Sequence, residues 1–404
     1  MFTEQEVLEF VREGDVRFVR LAFCDAFGVQ KNISIMAEEL PRAFQSGVSF
    51  DASAIRGFSQ EQRSDLFLFP DPATMAVLPW RPSRGRVARL FCDIRCPDGT
   101  AFWGDTRQLL KRTVARAAEA GLRVNIGTEI EFYLFQLDEK GRRTDIPFDD
   151  AGYMDIAPED RGENVRREIC LTLAEMGLYP ENSHHEEGPG QNEIDFRFSD
   201  ALSAADNAVT FQAVVKTIAM QNGLFADFSP KPISNRSGNG LHVNLSLAGA
   251  HDQARTDAFM AGLLAHAAEM TAFLNPTAAS YLRLGKNKAP RYVSWSRENR
   301  SQLIRIPASD SAHRRIELRS PDPAANPYLA FALILEAGLD GVARGLTPPP
   351  PTDHDLYTAG PEITGVLEPL PQDAAEAQER AFSSGFVRTH VPEGLLAAYA
   401  SLRH

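Results

Sequence analysis

The stretch GTEIEFYLF, residues 127–135, carries the alternation from which the rest of the fold is read. Side chains on a strand point to opposite faces in turn. Read from Val124, this segment puts Val124, Ile126, Ile130, Phe132 and Leu134 on one face and Glu129 and Glu131 on the other. The two carboxylates stand about 6.7 Å apart along the strand, a spacing that suits two neighbouring sites. The pattern recurs downstream. In 193–198, Ile194, Phe196 and Phe198 share a face opposite Glu193, Asp195 and Arg197. In 241–247 the leucines and Val243 pack, leaving His242, Asn244 and Ser246. In 315–319, Ile316 and Leu318 pack, leaving Arg315, Glu317 and Arg319. One such segment is an ordinary half-solvated antiparallel strand. Four in a single sheet bring their polar faces to one cavity. Carboxylates at that density need cations to stay ionised. Carboxylates with one imidazole suit Mg²⁺ or Mn²⁺.

Outward from these strands, the chain divides into two styles. Thr3–Glu13 predicts a short helix with a capping box between Thr3 and Glu6. From Val16 to about Trp103 the text is strand-like, and residues 1–103 read as a small, mainly β domain. Longer helices are expected near 106–120, 161–176, 203–222, 256–274 and 325–344, with strands between them. Residues 104–404 thus read as one larger α/β or α+β domain. The chain has 404 residues and a net charge of −12, with no basic block, which argues against nucleic acid and anionic membranes as partners. The acidic start and the lack of a long apolar span point to the cytoplasm. Cys24, Cys92, Cys96 and Cys170 form no CxxC pair and read as free thiols.

A second group of residues is cationic. Arg283, Arg300, Arg305, Arg315 and Arg319 are interleaved with apolar residues, as in NRSQLIRIP. A guanidinium forks onto carboxylate or phosphate oxygens. Metal ligands beside an arginine cluster are the equipment of phosphoryl transfer. No P-loop or dinucleotide fingerprint is present, so sheet, metals and arginines would have to hold a nucleotide. GPGQNE (188–193) and SGNG (237–240) lead straight into polar-faced strands and read as ligand-facing loops.

These segments resemble a bacterial-type glutamine synthetase over nearly the whole length. The resemblance rests on FDASAIRGF (50–58), GTEIEFYLF (127–135), HHEEGPGQNEID (184–195), GNGLHVNLSL (238–247), NRSQLIRIP (299–307) and RRIELRSPDPAANPYLAFA (314–332), in the family's order. It implies an α+β fold, with an N-terminal β-grasp-like domain and a catalytic domain whose antiparallel sheet lines a funnel flanked by helices. It implies ATP and two or more Mg²⁺ or Mn²⁺ ions per site as cofactors. It implies that the γ-carboxylate of L-glutamate is phosphorylated and that ammonia or another amine then displaces phosphate. By position, Glu131, Glu186 and Glu193 match ligands of one metal, and Glu129, His242 and Glu317 match ligands of a second that holds ATP phosphates. Arg283, Arg300, Arg319 and Gly238 match the glutamate site. Arg305 and Arg315 match the nucleotide phosphate contacts, with Asn244 and Ser246 on the nucleotide side. Asp51 matches an aspartate that a neighbouring subunit gives to the ammonium site, which implies a homo-oligomeric ring, a hexamer or dodecamer.

The chain departs from the family in three places. The flap that usually reads GYEAP or FEAP reads KNKAP here, so Lys288 takes the catalytic glutamate's position and reverses a charge beside a cation site. SGNG replaces the common NGSG. The chain ends at YASLRH without the family's acidic and aromatic tail, which puts the double ring in doubt. Tyr357 lies near the adenylylation region of some relatives in a weakly matching context, DHDLYTAG. The expected function is glutamine synthesis. The alternatives are a γ-glutamyl-amine ligase, favoured by Lys288, and a non-catalytic metabolite-binding homologue, disfavoured by the intact ligands and arginines.

Overall fold

The computed structural model describes residues 2–58, 64–81, 84–248, 253–308 and 315–402. Its first sheet has six strands: β1 (Val16–Cys24), β2 (Gln30–Met36), β3 (Val48–Asp51), β4 (Asp65–Pro70), β5 (Ala76–Val77) and β6 (Arg86–Arg95). Their order is β2-β1-β6-β4-β3, with β5 paired to β6. β1 and β6 run parallel, and the other pairs are antiparallel. Helix α1 (Glu4–Glu13) starts with the expected capping box. Helix α2 (Leu40–Ser46) precedes β3.

The second sheet has ten strands: β7 (Val124–Leu137), β8 (Arg143–Pro147), β9 (Pro180–His185), β10 (Gln191–Phe196), β11 (Ser199–Asp200), β12 (Leu224–Asp227), β13 (Leu241–Leu247), β14 (Trp295–Arg297), β15 (Ile304–Ile306) and β16 (Ile316–Leu318). Its main path is β14-β15-β16-β13-β7-β10-β9. All pairs are antiparallel except β14 with β15. The four polar-faced segments therefore fall on β16, β13, β7 and β10, four adjacent strands. Phe198 departs from the expected pattern. β10 shifts register between Asp195 and Phe196 and ends there, so the alternation is lost and Phe198 is exposed.

Helices back the sheets: α3 (Thr106–Glu119), α4 (Glu163–Glu175), α5 (Ala201–Gln221), α6 (Gln253–Ala265), α7 (Ala267–Leu274), α8 (Ala278–Arg283) and α9 (Pro327–Arg344). The single helix expected over 256–274 is broken at His266. The imidazole stacks on Phe386 at 3.9 Å and hydrogen-bonds Glu269 and Asp340, so tertiary contacts override the local periodicity there. Four short helices close the chain: α10 (Pro361–Thr364), α11 (Ala374–Ser383), α12 (Gly385–His390) and α13 (Glu393–Ala400). The core is continuous through α5, α9 and the inner faces of β7, β10, β13 and β16. Helices α6 and α9 cross with Gly262 against Gly341.

One buried guanidinium joins the two sheets. Arg107, on the first turn of α3, donates to Asp71 at 3.0 Å and Asp93 at 3.2 Å in the N-terminal part. It also forks onto Asp206 of α5 at 2.9 and 2.8 Å, and Tyr328 of α9 donates to the same Asp206 at 2.6 Å. Among the described residues no helix is long and apolar enough to cross a membrane. All four cysteines are free, with Cys24 and Cys92 buried.

Candidate active site

Strand register assembles the site. Glu193 stands opposite Glu131, Asp195 and His242 flank Glu129 on either side, and Asn244 stands opposite Glu317, which in turn faces Arg305. Directly opposed residues have Cβ atoms about 4.5–5.5 Å apart. Sequence alternation and antiparallel register together thus turn scattered polar residues into one surface. That surface lines a cavity of about 610 Å³, bounded by Glu129, Glu131, Glu186, Glu193 and His242 on one side and by Arg283, Arg300, Arg305, Arg315 and Arg319 on the other. Gly238 and Lys288 line it too.

The carboxylates meet in overlapping groups. Ligand atoms of Glu129, His242 and Glu317 lie within 4.8 Å of one another, as do those of Glu131, Glu193 and His242 and those of His184, Glu186 and Glu193. Glu193 therefore joins Glu131 and Glu186 through two groups instead of one triad. His184 and Asp195 extend the set, and Asp195 meets Glu129 and Glu193 in a further group. Such oxygen-rich donors suit hard divalent cations.

The electrostatics carry the same signature. Burial, then the neighbouring charge of Glu131, lifts the Glu186 carboxyl to about 8. Burial, then Glu129, lifts Asp195 to about 7. Glu193 is pushed well above the usual range by burial and by Glu131. Burial also opposes ionisation of Glu129, but the hydrogen bond and charge of His242, with the amide of Asn244, outweigh it and hold this carboxyl at about 2. The cluster therefore binds protons that a divalent cation would displace.

The arginines lean on the carboxylates. Glu317 is fully buried and accepts from Arg305 Nη1 at 2.6 Å through one oxygen and from Arg319 Nη1 through the other. Among the described residues, the Nε atoms of Arg305 and Arg319 and one oxygen of Asp195 are buried without a hydrogen-bond partner. Buried polar atoms left unpaired inside a cavity mark groups directed at a ligand. Arg315 donates to Asn244, which donates to Glu129. Arg283 spends two nitrogens on the Ser320 and Arg319 carbonyls at 2.8 and 3.2 Å. A Cβ on Gly238 would lie 2.4 Å from the Pro230 carbonyl oxygen, so only glycine fits that turn.

Glu317 and Asn244 stand behind the cavity wall, bonded to Arg305, Arg319 and Glu129, and two further expected residues lie elsewhere. Ser246 sits farther along β13 opposite Asn125 and does not line the cavity. Asp51 ends β3 in the other sheet, exposed, with its carboxylate accepting from the Ser53 amide at 2.9 Å; within one chain it does not line the cavity. Lys288, expected to reverse the charge beside the cation site, has a carboxylate partner. Its ammonium pairs with Glu187, the residue after Glu186. Tyr357 donates its hydroxyl to the Ala289 carbonyl at 3.1 Å, tying down the flap segment. Tyr153, Glu187 and His184 belong to the cavity wall and were not singled out from the sequence. The HHEE run was the available signal for two of them.

Comparison with known proteins gives this geometry a family. Residues 15–97 match the model of the glutamine synthetase β-grasp domain, and residues 103–404 match that of the glutamine synthetase catalytic domain. The chain belongs to the glutamine synthetase family. It is 45% identical to the glutamine synthetase of Methanosarcina mazei over 98% of this chain and 92% of that protein. It is 45% identical to that of Clostridium saccharobutylicum over 93% and 88%. A solved chain described as a GmaS/ADP complex superposes with a TM-score of 0.87 at 31% identity, covering 98% of this chain and 94% of that one. A glutamine synthetase of Plasmodium falciparum superposes at 0.86 with 24% identity, over 99% and 94%, which speaks for the shared fold.

Proposed function

We propose that this glutamine synthetase family member joins ammonia to L-glutamate with ATP, through γ-glutamyl phosphate. The observation that carries the reading is the set of in-register carboxylates of β7 and β10, with His242 of β13 beside them, facing the arginines of a single cavity. A γ-carboxylate oxygen of glutamate attacks the γ-phosphorus of ATP and ADP leaves. Ammonia then attacks the acyl carbon, the bond to phosphate breaks, and the nitrogen sheds a proton. Glu129, His242 and Glu317 would hold one divalent cation, and Glu131, Glu186 and Glu193 a second. Bound there, Mg²⁺ or Mn²⁺ supplies charge neutralisation for phosphoryl transfer. Arg305 and Arg315 steer the nucleotide phosphates, Arg300 and Arg319 neutralise the transferring group, and Arg283 with Gly238 shapes the amino-acid end. Lys288 borders the acceptor. Asp51 joins the site from a neighbouring copy of this chain, which supports a homo-oligomeric ring. Family membership supports the domain division at 103/104.

The test is phosphate release from ATP with Mg²⁺ or Mn²⁺ and L-glutamate, comparing no acceptor, ammonium, hydroxylamine and primary amines. Release that rises with ammonium, with glutamine as product, is expected. Release only with a larger amine would move the protein to the γ-glutamyl-amine ligases. No release with ATP still bound would make it a binding protein.

A further inference from the structure

Lys288 is held in an unusual backbone conformation. It and Asn287 have φ of 68° and 48°, a region that side-chain-bearing residues adopt at a cost of about 1–2 kcal/mol each. The surroundings enforce it. Ala289 N donates to Lys286 O at 3.0 Å, Gly285 N donates to Pro290 O at 3.1 Å, and Tyr357 Oη donates to Ala289 O at 3.1 Å. The carbonyl of Lys288 itself accepts from Arg319 at 3.4 Å. Strain that is over-determined in this way tends to have a purpose.

What the conformation achieves is the placement of one alkylammonium group. The Lys288 ammonium pairs with Glu187 and stands 5.4 Å from the centroid of the Tyr153 ring. The other Glu187 oxygen accepts from Ser237 Oγ at 3.2 Å. Tyr153 packs edge-on against His184, which contacts Glu193 at 3.2 Å, so this pocket adjoins the carboxylate cluster. A carboxylate beside an aromatic face is a receptor for an organic cation. Lysine ends in a primary alkylammonium, the same chemical class as an amine acceptor larger than ammonia. An external alkylammonium would have to displace a tethered rival, whose effective concentration is of millimolar order or above. Ammonium has no alkyl chain to place and needs less of the pocket.

We infer that Glu187, Ser237 and Tyr153 form an alkylammonium site that Lys288 fills from within, and that this occupancy restricts the acceptor to ammonia. The inference rests on reading the cavity as a ligase site of this family. It makes Lys288 and Glu187 specificity-determining residues.

The experiment uses the full chain with MgATP and L-glutamate, and compares ammonium with n-propylammonium as acceptor. In Lys288→Ala, the ratio of kcat/KM for propylamine to that for ammonia should rise about tenfold or more, the scale of one such cation contact. Lys288→Gly, which suits the positive φ, should do the same if the alanine variant folds poorly. Adding Glu187→Gln to either should return the ratio to near the wild-type value. An unchanged ratio in variants that still show an ATP-induced thermal shift overturns the inference. So does an equal rise with and without Glu187, which would mean that space alone decides. If wild type makes no glutamine, the ligase reading fails, and calorimetric titration with n-propylammonium chloride still decides the site. Binding should then be about tenfold tighter in Lys288→Ala than in wild type and be lost on adding Glu187→Gln; equal affinities overturn it.

Discussion

Glu317→Gln offers the sharpest test of how the site is built. Glu317 is fully buried, with Arg305 on one oxygen, Arg319 on the other, and His242 Nδ1 3.9 Å away. Glutamine keeps the shape and one acceptor but turns an NH₂ toward a guanidinium. Removing one partner of a buried ion pair costs about 3–5 kcal/mol, because the remaining charge is stranded. The two arginines differ in their means of escape. The Arg305 side chain is 15% exposed and can turn toward the cavity, whereas that of Arg319 is 3% exposed and is also tied to the Lys288 carbonyl. The loss therefore falls mainly on Arg319, and the lower end, about 3 kcal/mol, is expected. Urea unfolding followed by fluorescence, at fixed protein concentration and without nucleotide, measures it. Glu317→Gln combined with Arg319→Met should recover part of the loss, since the stranded charge goes with its partner. A change within about 0.5 kcal/mol in the single variant, the range of ordinary surface substitutions, would refute the argument. MgATP affinity, read well below the unfolding transition, should fall in the same variant.

Other outcomes follow from particular contacts. Glu186, at about 8, and Asp195, at about 7, sit above their ordinary values, so their protonated forms favour the metal-free fold. That stability is fully present below the ordinary carboxyl range and is lost as pH rises through about 7 to 8, where a divalent cation restores it. The Mg²⁺-induced thermal shift should therefore be larger at the upper end of that window than below it. Gly262→Ala would set a Cβ 2.0 Å from the Ala337 carbonyl oxygen. Overpacking of about 1–3 kcal/mol should outweigh the roughly 1 kcal/mol of helix propensity gained, and the thermal midpoint should fall. Tyr357→Phe removes the hydroxyl that holds Ala289. Amide hydrogen exchange over residues 285–290 should quicken while the core of α9 stays protected.

How much of this was legible in the sequence depends on the kind of interaction. Glu129, Glu131, Glu193, His242 and Glu317 were readable because strand periodicity fixes their faces, and antiparallel pairing then aligned those faces. Glu186 lies past the end of β9, outside any alternation, and came only from resemblance. Tyr153 and Glu187 lie in loops, where no period exists to be read, whereas His184 sits on β9 opposite Glu193. Phe198 was misplaced because a register shift ends β10 just before it. The break at His266 comes from Phe386 and Asp340, residues far along the chain. The partner of Lys288, Glu187, is not legible because it lies about a hundred positions away.

The buried Arg107 fork has a consequence for how many chains one reaction needs. It fastens Asp71 and Asp93 beside the first sheet to Asp206 behind the second, with Tyr328 completing the knot. A joint built from buried charge cannot slip without stranding at least one ion. The joint pins the first sheet against α5, and within one chain Asp51 does not line the cavity. Under the proposed function, that aspartate must arrive from a second copy, so turnover becomes a property of an encounter. Specific activity should decline on dilution, and a chain lacking Asp51 mixed with a chain lacking Glu129 should regain activity that neither has alone.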